Sequence, residues 1–306
     1  MPPSVAAPRA ATRATFEPEA RLPADFAERA GRLARRLSAA SERREGRGDA
    51  LATGDGEEFV GFRPYSAGDD LRRLDPDLLA RLDRPFVRVT KRESSERWVV
   101  LIDASASMGV GPPGKLSLAA QVAAGLAHVA LLGARGGIRG ALLAASGPAA
   151  APRWSELRIG RRTDLAQVVA FARGLRAEGD VSLAQLGVRG AALVRTAGRV
   201  FVIGDLLGVE PRALLELARR GRSLCAVQVL APAEFVPALG PAEWLDPESG
   251  ERLVLDVDEA ARARYCRALE ERLEVWRSTC ARHRVRHACR ASDEAFEDVV
   301  LEAVRT

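Results

Sequence analysis

Cysteine is scarce in this 306-residue chain. Its four cysteines, Cys225, Cys266, Cys280 and Cys289, contain no C-x-x-C pair, which excludes a disulfide scaffold and a local zinc knuckle. His283 and His287 lie beside Cys280 and Cys289, but arginines and a helix-to-strand turn interrupt that stretch, so its spacing is a poor match to a zinc site. No run approaches the roughly 18–20 uninterrupted apolar residues of a bilayer span, and the first twenty residues lack the apolar block of a secretion signal. The expectation is a cytoplasmic protein without a membrane span. A basic block is also missing. The formal charge of +5 is spread out, with 19 Lys+Arg against 17 Asp+Glu in residues 1–97 and 27 against 24 in the remainder, so no nucleic-acid face is expected. Lysine occurs only at Lys91 and Lys115; the excess of Arg and Ala reads as a coding bias. There is no G-x-x-x-x-G-K-[ST] loop, and no Ser-His-Asp or Cys-His arrangement stands out.

What remains is a globular composition, 47% hydrophobic and 28% charged, long enough for one large α/β domain or two modest ones. Residues 1–23, rich in Ala, Pro and Thr, show no periodicity and are expected to form a flexible lead-in. Residues 24–97 begin with an amphipathic helix, on which Phe26, Ala30, Leu33 and Leu37 recur at helical spacing. Glycines break it, and a β-rich extension follows (EEFVGFRPY, then LDPDLLARLD as a short helix, then PFVRVTKRE).

From Trp98 to the C-terminus apolar strands alternate with helices, the signature of βαβ units and a doubly wound, mostly parallel α/β sheet. The strands are WVVLID, GALLAAS, a short piece near Glu156–Ile159, RVFVIGD and SLCAVQVL. EWLDPESGERLVLDV reads as a hairpin on the edge of the core. A long helix carrying Ala261, Tyr265, Leu269, Leu273, Trp276 and Cys280 on one stripe follows, then a last strand and a closing helix.

WVVLID ends in Asp103-Ala104-Ser105-Ala106-Ser107-Met108, which places a carboxylate and two hydroxyls at alternate positions just beyond a strand's carboxyl end, where open α/β sheets bind ligands. Three oxygen donors in one tight loop suit a hard divalent cation, Mg²⁺ especially, or Mn²⁺. Thr163, at the start of the helix after Gly-Arg-Arg, and Asp205, at the end of RVFVIGD, are two further oxygen donors expected to join that loop at the same sheet edge. Singly, each has a structural reading: Asp103 and Asp205 as strand-end caps, Ser105 and Ser107 as turn formers, Thr163 or Asp164 as a helix cap.

The set resembles the metal-ion-dependent adhesion site of von Willebrand factor A-type domains, an Asp-x-Ser-x-Ser loop with a Thr in a second loop and an Asp in a third. Upstream, Glu58-Phe59, Arg63-x-Tyr65, Gly68-Asp69-Asp70, Arg73-Leu74-Asp75 and Ala80-Arg81 stand in an order similar to that of the bacterial domain-of-unknown-function family fifty-eight. Lys115 and the Asp246, Ser249, Gly250, Glu251 turn extend the resemblance over nearly all of residues 40–306. Family members typically carry Trp where this chain has Pro76. Arg63, Tyr65, Gly68, Asp69, Asp70, Arg73 and Asp75 then read as a partner-binding or a structural motif, with Gly68 supplying a turn, Asp70 capping a helix and Arg63 pairing with a carboxylate. The resemblance implies a non-catalytic, divalent-metal-dependent protein-interaction module acting with a MoxR-type AAA+ ATPase in assembling or remodelling protein complexes, through an acidic residue of the partner. The competing class is a phosphotransferase or hydrolase of haloacid-dehalogenase type using Asp103. Such an enzyme needs a second carboxylate two residues later, and Ser105 stands there.

Overall fold

A computed structural model of the chain describes residues 12–13, 15–45, 57–66, 69, 74–92, 97–132, 138–218 and 223–305. Their elements in order are β1 (Thr12–Arg13), α1 (Phe26–Glu45), β2 (Glu57–Pro64), α2 (Pro76–Leu82), β3 (Phe86–Arg92), β4 (Trp98–Asp103) and α3 (Lys115–Leu132). There follow β5 (Gly140–Ser146), β6 (Arg153–Ile159), α4 (Leu165–Arg173), α5 (Leu183–Arg195), β7 (Arg199–Gly204), α6 (Pro211–Ala218) and β8 (Ser223–Leu230). The C-terminal part comprises α7 (Pro232–Phe235), β9 (Gly240–Leu245), β10 (Arg252–Val257), α8 (Glu259–Arg282), β11 (Arg286–Ala291) and α9 (Phe296–Val304). The chain divides into two compact units, residues 39–95 and the remainder.

In the larger unit the strand order is β11-β8-β7-β4-β5-β6, parallel throughout except for β6, which runs antiparallel to β5 at the edge. This is the doubly wound, mostly parallel α/β architecture expected from the alternation of apolar strands and helices. The central strand β4 is buried along its whole length, because both of its faces are covered. Trp98, Val100 and Ile102 face one core together with Phe26, Leu116, Leu126 and Phe296; Val99 and Leu101 face the other with Leu186, Val202 and Trp276. At about 25 cal/mol per Å² of apolar surface removed from water, these two layers are the main source of stability.

Helix α3 is apolar on every side, and its length and composition suffice to cross a membrane. It is instead 89% buried in this unit, packed on the sheet, α4 and α9. The first helix docks on the same face. Phe26 packs against His128 and Phe296, and Arg29 holds Glu297 through paired contacts of 2.6 and 2.7 Å.

The described part of the lead-in is not loose, contrary to the expectation for residues 1–23. The Glu17 N–H donates to the Gly109 carbonyl (2.7 Å), Ala177 N–H to Pro18, Gly111 N–H to Thr15 and Arg21 N–H to Ser117 Oγ. Such pairing is non-local, so a sequence with no periodicity gives no sign of it. β1 also pairs in parallel with β9, so the expected hairpin belongs to a separate sheet of order β1-β9-β10 and not to the edge of the core sheet. On α8 only Leu273, Trp276 and Cys280 of the expected stripe are buried in the core; Tyr265 lies earlier, edge-on to Trp244 of β9.

In the smaller unit β2 and β3 form an antiparallel pair with a shift at Phe59/Gly61. Asp75 caps α2 by accepting from the Leu78 N–H at 3.0 Å, and Pro76 takes the first helical position, where its missing N–H is harmless.

Candidate functional site

The topology decides which loops meet. Asp103 closes β4 opposite Ala145, at the carboxyl end of the parallel strands, and the following loop passes through Ser105 and a 3₁₀ turn, Ala106–Gly109. Asp205 follows β7, the immediate neighbour of β4. Gly204 makes their approach possible: a Cβ there would lie 2.9 Å from Asp103 Cβ and 3.3 Å from its Oδ2, so the Asp103 side chain crosses the bare backbone beside Asp205. Asp103 Oδ1 accepts from the Ser105 N–H (2.9 Å), and the Ser105 and Ser107 hydroxyls are 3.0 Å apart. Asp103, Ser105, Ser107 and Asp205 thus converge at one sheet edge.

Thr163 does not join them. β6 is antiparallel, so Ile159 pairs with Gly140, which also pairs with Trp98 at the amino end of β4. Thr163 therefore begins its helix at the opposite edge, roughly 16 Å of strand away at about 3.3 Å per residue. Its side chain is exposed, with only Asp164 Oδ1 at 3.5 Å. The loop that does come back to Asp103 is the α4–α5 connection, since α4 carries the chain from one edge to the other. Its Gly179 carbonyl accepts from the Ala106 N–H (2.7 Å), and the Glu178 N–H donates to Ala104 (3.0 Å). The oxygen donors there are Asp180 and Ser182. Asp180 accepts from the Ala149 N–H, and Ser182 caps α5 through Gln185.

Charge is concentrated in the cluster. Burial, and then the neighbouring Asp205, push the Asp103 carboxyl up to about 7. Asp205 is answered from below by Lys115, a fully buried lysine whose Nζ lies 2.9 Å from Asp205 Oδ2 and 2.8 Å from Glu234 Oε1. Burial disfavours that ammonium, yet the two carboxylates outweigh it and raise its pKa above the ordinary value. Asp205 is further fixed by the Leu207 N–H at Oδ1 (3.2 Å) and by Gln228 Nε2, which donates to its carbonyl at 2.7 Å. Leu206, between them, is buried at φ 56, a left-handed conformation rare outside glycine. Lys115 as a charge partner, Gln228 and Glu234 were not anticipated as site residues.

Among the described residues no three His, Cys, Asp or Glu side chains converge on one point. A divalent ion at this edge would therefore be held by the two aspartates with the two serine hydroxyls and water, a hard oxygen set that suits Mg²⁺ or Mn²⁺.

The upstream motif forms a local structure of its own. Arg63 grips both oxygens of Asp69 (2.7 and 2.5 Å), and Asp69 also accepts from the Ser66 N–H, which together with the guanidinium lowers its carboxyl to about 2. The Tyr65 N–H donates to Pro85, and Asp75 is the α2 cap. The readings made for Gly68, Asp70 and Arg73 lie outside the described residues. The Asp246 turn is closed by Ser249 Oγ, which donates to Asp246 Oδ2 at 2.8 Å.

The uncharacterized proteins Rv1480 of Mycobacterium tuberculosis (strain H37Rv) and Mb1516 of Mycobacterium bovis are each 33% identical over 234 residues, covering 71% of this chain and 69% of theirs. Among solved structures, the SpRpn10 VWA domain matches with a TM-score of 0.36 and 9% identity, over 67% of this chain and 93% of that one. The family described as "Protein of unknown function DUF58" matches residues 61–274, and the chain belongs to that family.

Proposed function

We propose that the protein is a non-catalytic interaction module that uses a divalent ion, Mg²⁺ or Mn²⁺, to engage an acidic side chain of a protein partner. The observation that carries this reading is the placement of two carboxylates and two hydroxyls, Asp103, Asp205, Ser105 and Ser107, at the carboxyl edge of the sheet, with Asp103 laid across Gly204 beside Asp205. Two buried carboxylates this close repel each other, and a cation relieves that repulsion. When bound, the ion would supply Lewis acidity toward a partner's carboxylate. The chain's own residues do the rest: Ser105 and Ser107 offer neutral oxygens, which keep the set electron-poor, and Lys115 and Leu207 fix the orientation of Asp205.

The partner proposed is a MoxR-type AAA+ ATPase or its client, on the family resemblance. The test is capture of that purified ATPase on the immobilised full chain in Mg²⁺ and in chelator, with Asp103→Ala and Asp205→Ala alongside. Binding lost in chelator and in both variants supports the reading; binding indifferent to all three overturns it. A phosphotransferase using Asp103 finds no support, because the position two residues on is Ser105, whose hydroxyl is engaged with Ser107.

A further inference from the structure

The interaction reading uses Lys115 only to orient Asp205, which leaves its buried charge and its second partner unexplained. In a chain with two lysines, this one opens an apolar helix and is completely buried. Its ammonium bridges Asp205 Oδ2 and Glu234 Oε1 at nearly equal distances, 2.9 and 2.8 Å. Glu234 is held in place for this: its Oε2 accepts from the Ala231 N–H (2.6 Å), and its carbonyl accepts from the Tyr265 hydroxyl (2.8 Å). A lysine that only balanced Asp205 would not need a second, equally fixed carboxylate.

We propose that Lys115 is the resident cation of this site, held between Asp205 and Glu234, and that it sets the affinity with which a divalent ion binds Asp205. The proposal rests on the metal-site reading above and adds to it a residue outside the oxygen set. Lys115 places a positive charge within hydrogen-bond reach of an oxygen that the ion must share, so the ion binds against it. Glu234 gives the ammonium a carboxylate to remain with when the ion draws on Asp205. The charges agree with such a balance: Asp103, Asp205 and Glu234, with Glu248 acting on Asp103 as well, outnumber Lys115, so the cluster carries an excess of negative charge that a divalent ion reduces. Unit charges a few ångströms apart interact far more strongly at the effective dielectric of partly buried sites than in water, so removing one has a large effect on affinity.

The two partners of the bridge make opposite expectations. Lys115→Met keeps the apolar stem and removes the charge; Mn²⁺ should then bind at least tenfold more tightly than to the parent. Glu234→Gln keeps the shape and an acceptor oxygen but removes the negative charge, so Asp205 alone must neutralise the ammonium; Mn²⁺ should bind several-fold more weakly. Titration calorimetry of the full chain with MnCl₂ measures both, and melts with and without MnCl₂ accompany it, with a larger ion-induced rise in Tm expected for Lys115→Met. If the parent binds and Lys115→Met binds no tighter, or Glu234→Gln binds as the parent does, the role of Lys115 is wrong while the metal site stands. If neither the parent nor Lys115→Met takes up the ion, the metal-site reading itself falls, and this proposal falls with it. Should Lys115→Met fail to fold without the ion, recovery in MnCl₂ supports the proposal, and Glu234→Gln, on a partly exposed side chain, still decides it alone.

Discussion

Gly204→Ala perturbs the site without replacing a charged or hydroxyl group. The added methyl would sit 2.9 Å from Asp103 Cβ and 3.3 Å from Oδ2. The first of these is an atom fixed to the backbone of the central strand β4, so it cannot swing aside as the tip of a long side chain would. Relief requires either that β7 and β4 separate locally or that the Asp103 carboxylate rotates away from Asp205. Overpacking of this kind in a filled core costs about 1–3 kcal/mol, which for a domain of this size lowers Tm by roughly 2–12 °C. Either form of relief displaces an oxygen donor, so Mg²⁺ affinity should fall together with stability. Gly208→Ala is the matched control: nothing lies within 4 Å of its Cβ, its φ is unremarkable, and its effect should stay within about 0.5 kcal/mol. Calorimetric melts and Mg²⁺ titrations of the two variants are the assay. A Gly204→Ala protein that melts and binds Mg²⁺ like the parent would refute the packing of Asp103 over Gly204.

Asp103 also gives the site a pH signature. Its folded pKa of about 7 lies above the unfolded value of 3.8, so the folded state keeps a proton that the unfolded state has lost; this contribution to stability is present below pH 4 and disappears as pH rises to 7. Metal-free Asp103→Asn should therefore show a flatter stability profile between pH 4 and 7, and a profile as steep as the parent's would contradict the shift. Because proton and cation compete for the same carboxylate, Mg²⁺ affinity in the parent should rise across the same interval, which titrations at pH 5.5 and 7.5 can measure. Leu101→Ala, in a fully buried position, should cost about 2–5 kcal/mol in a denaturant melt while Mg²⁺ binding to the folded protein is retained. Deleting residues 1–22 removes the hydrogen bonds to Gly109, Gly111, Ser117, Leu175 and Ala177, each worth about 0.5–1.5 kcal/mol, and an unchanged Tm would show that the segment is not held as described.

The strands were legible because a parallel sheet covered on both faces demands continuous apolar runs, and WVVLID, GALLAAS and SLCAVQVL are such runs with their boundaries marked by Gly, Asp or Ser. Asp103, Ser105, Ser107 and Asp205 were legible for a related reason, since a strand end is a visible place and the open edge of the sheet is where strand ends gather. Thr163 was misplaced because the direction of β6 does not show in its sequence: RWSELRI reads the same whether it runs with β5 or against it, and only the antiparallel case sends the next loop to the far edge. Lys115 is conspicuous in the sequence as one of two lysines in an arginine-rich chain, at the head of a helix with no other charge. Its partner Glu234 lies 119 residues later, and nothing local couples the two. The lead-in shows no sign of its docking for the same reason, because the hydrogen bonds that anchor it, such as Glu17 to Gly109 and Ala20 to Leu175, reach across the chain.

The central claim concerns an ion held by Asp103, Ser105, Ser107 and Asp205 at the carboxyl edge of the sheet, on which folding does not depend. Titration of Mg²⁺ into the parent and into Asp103→Ala, each with a melt taken under the same conditions, tests it most directly. One weak site in the parent, lost in a variant that still melts cooperatively near the parent's Tm, is the expected result. Equal Mg²⁺ binding by the two proteins would contradict it.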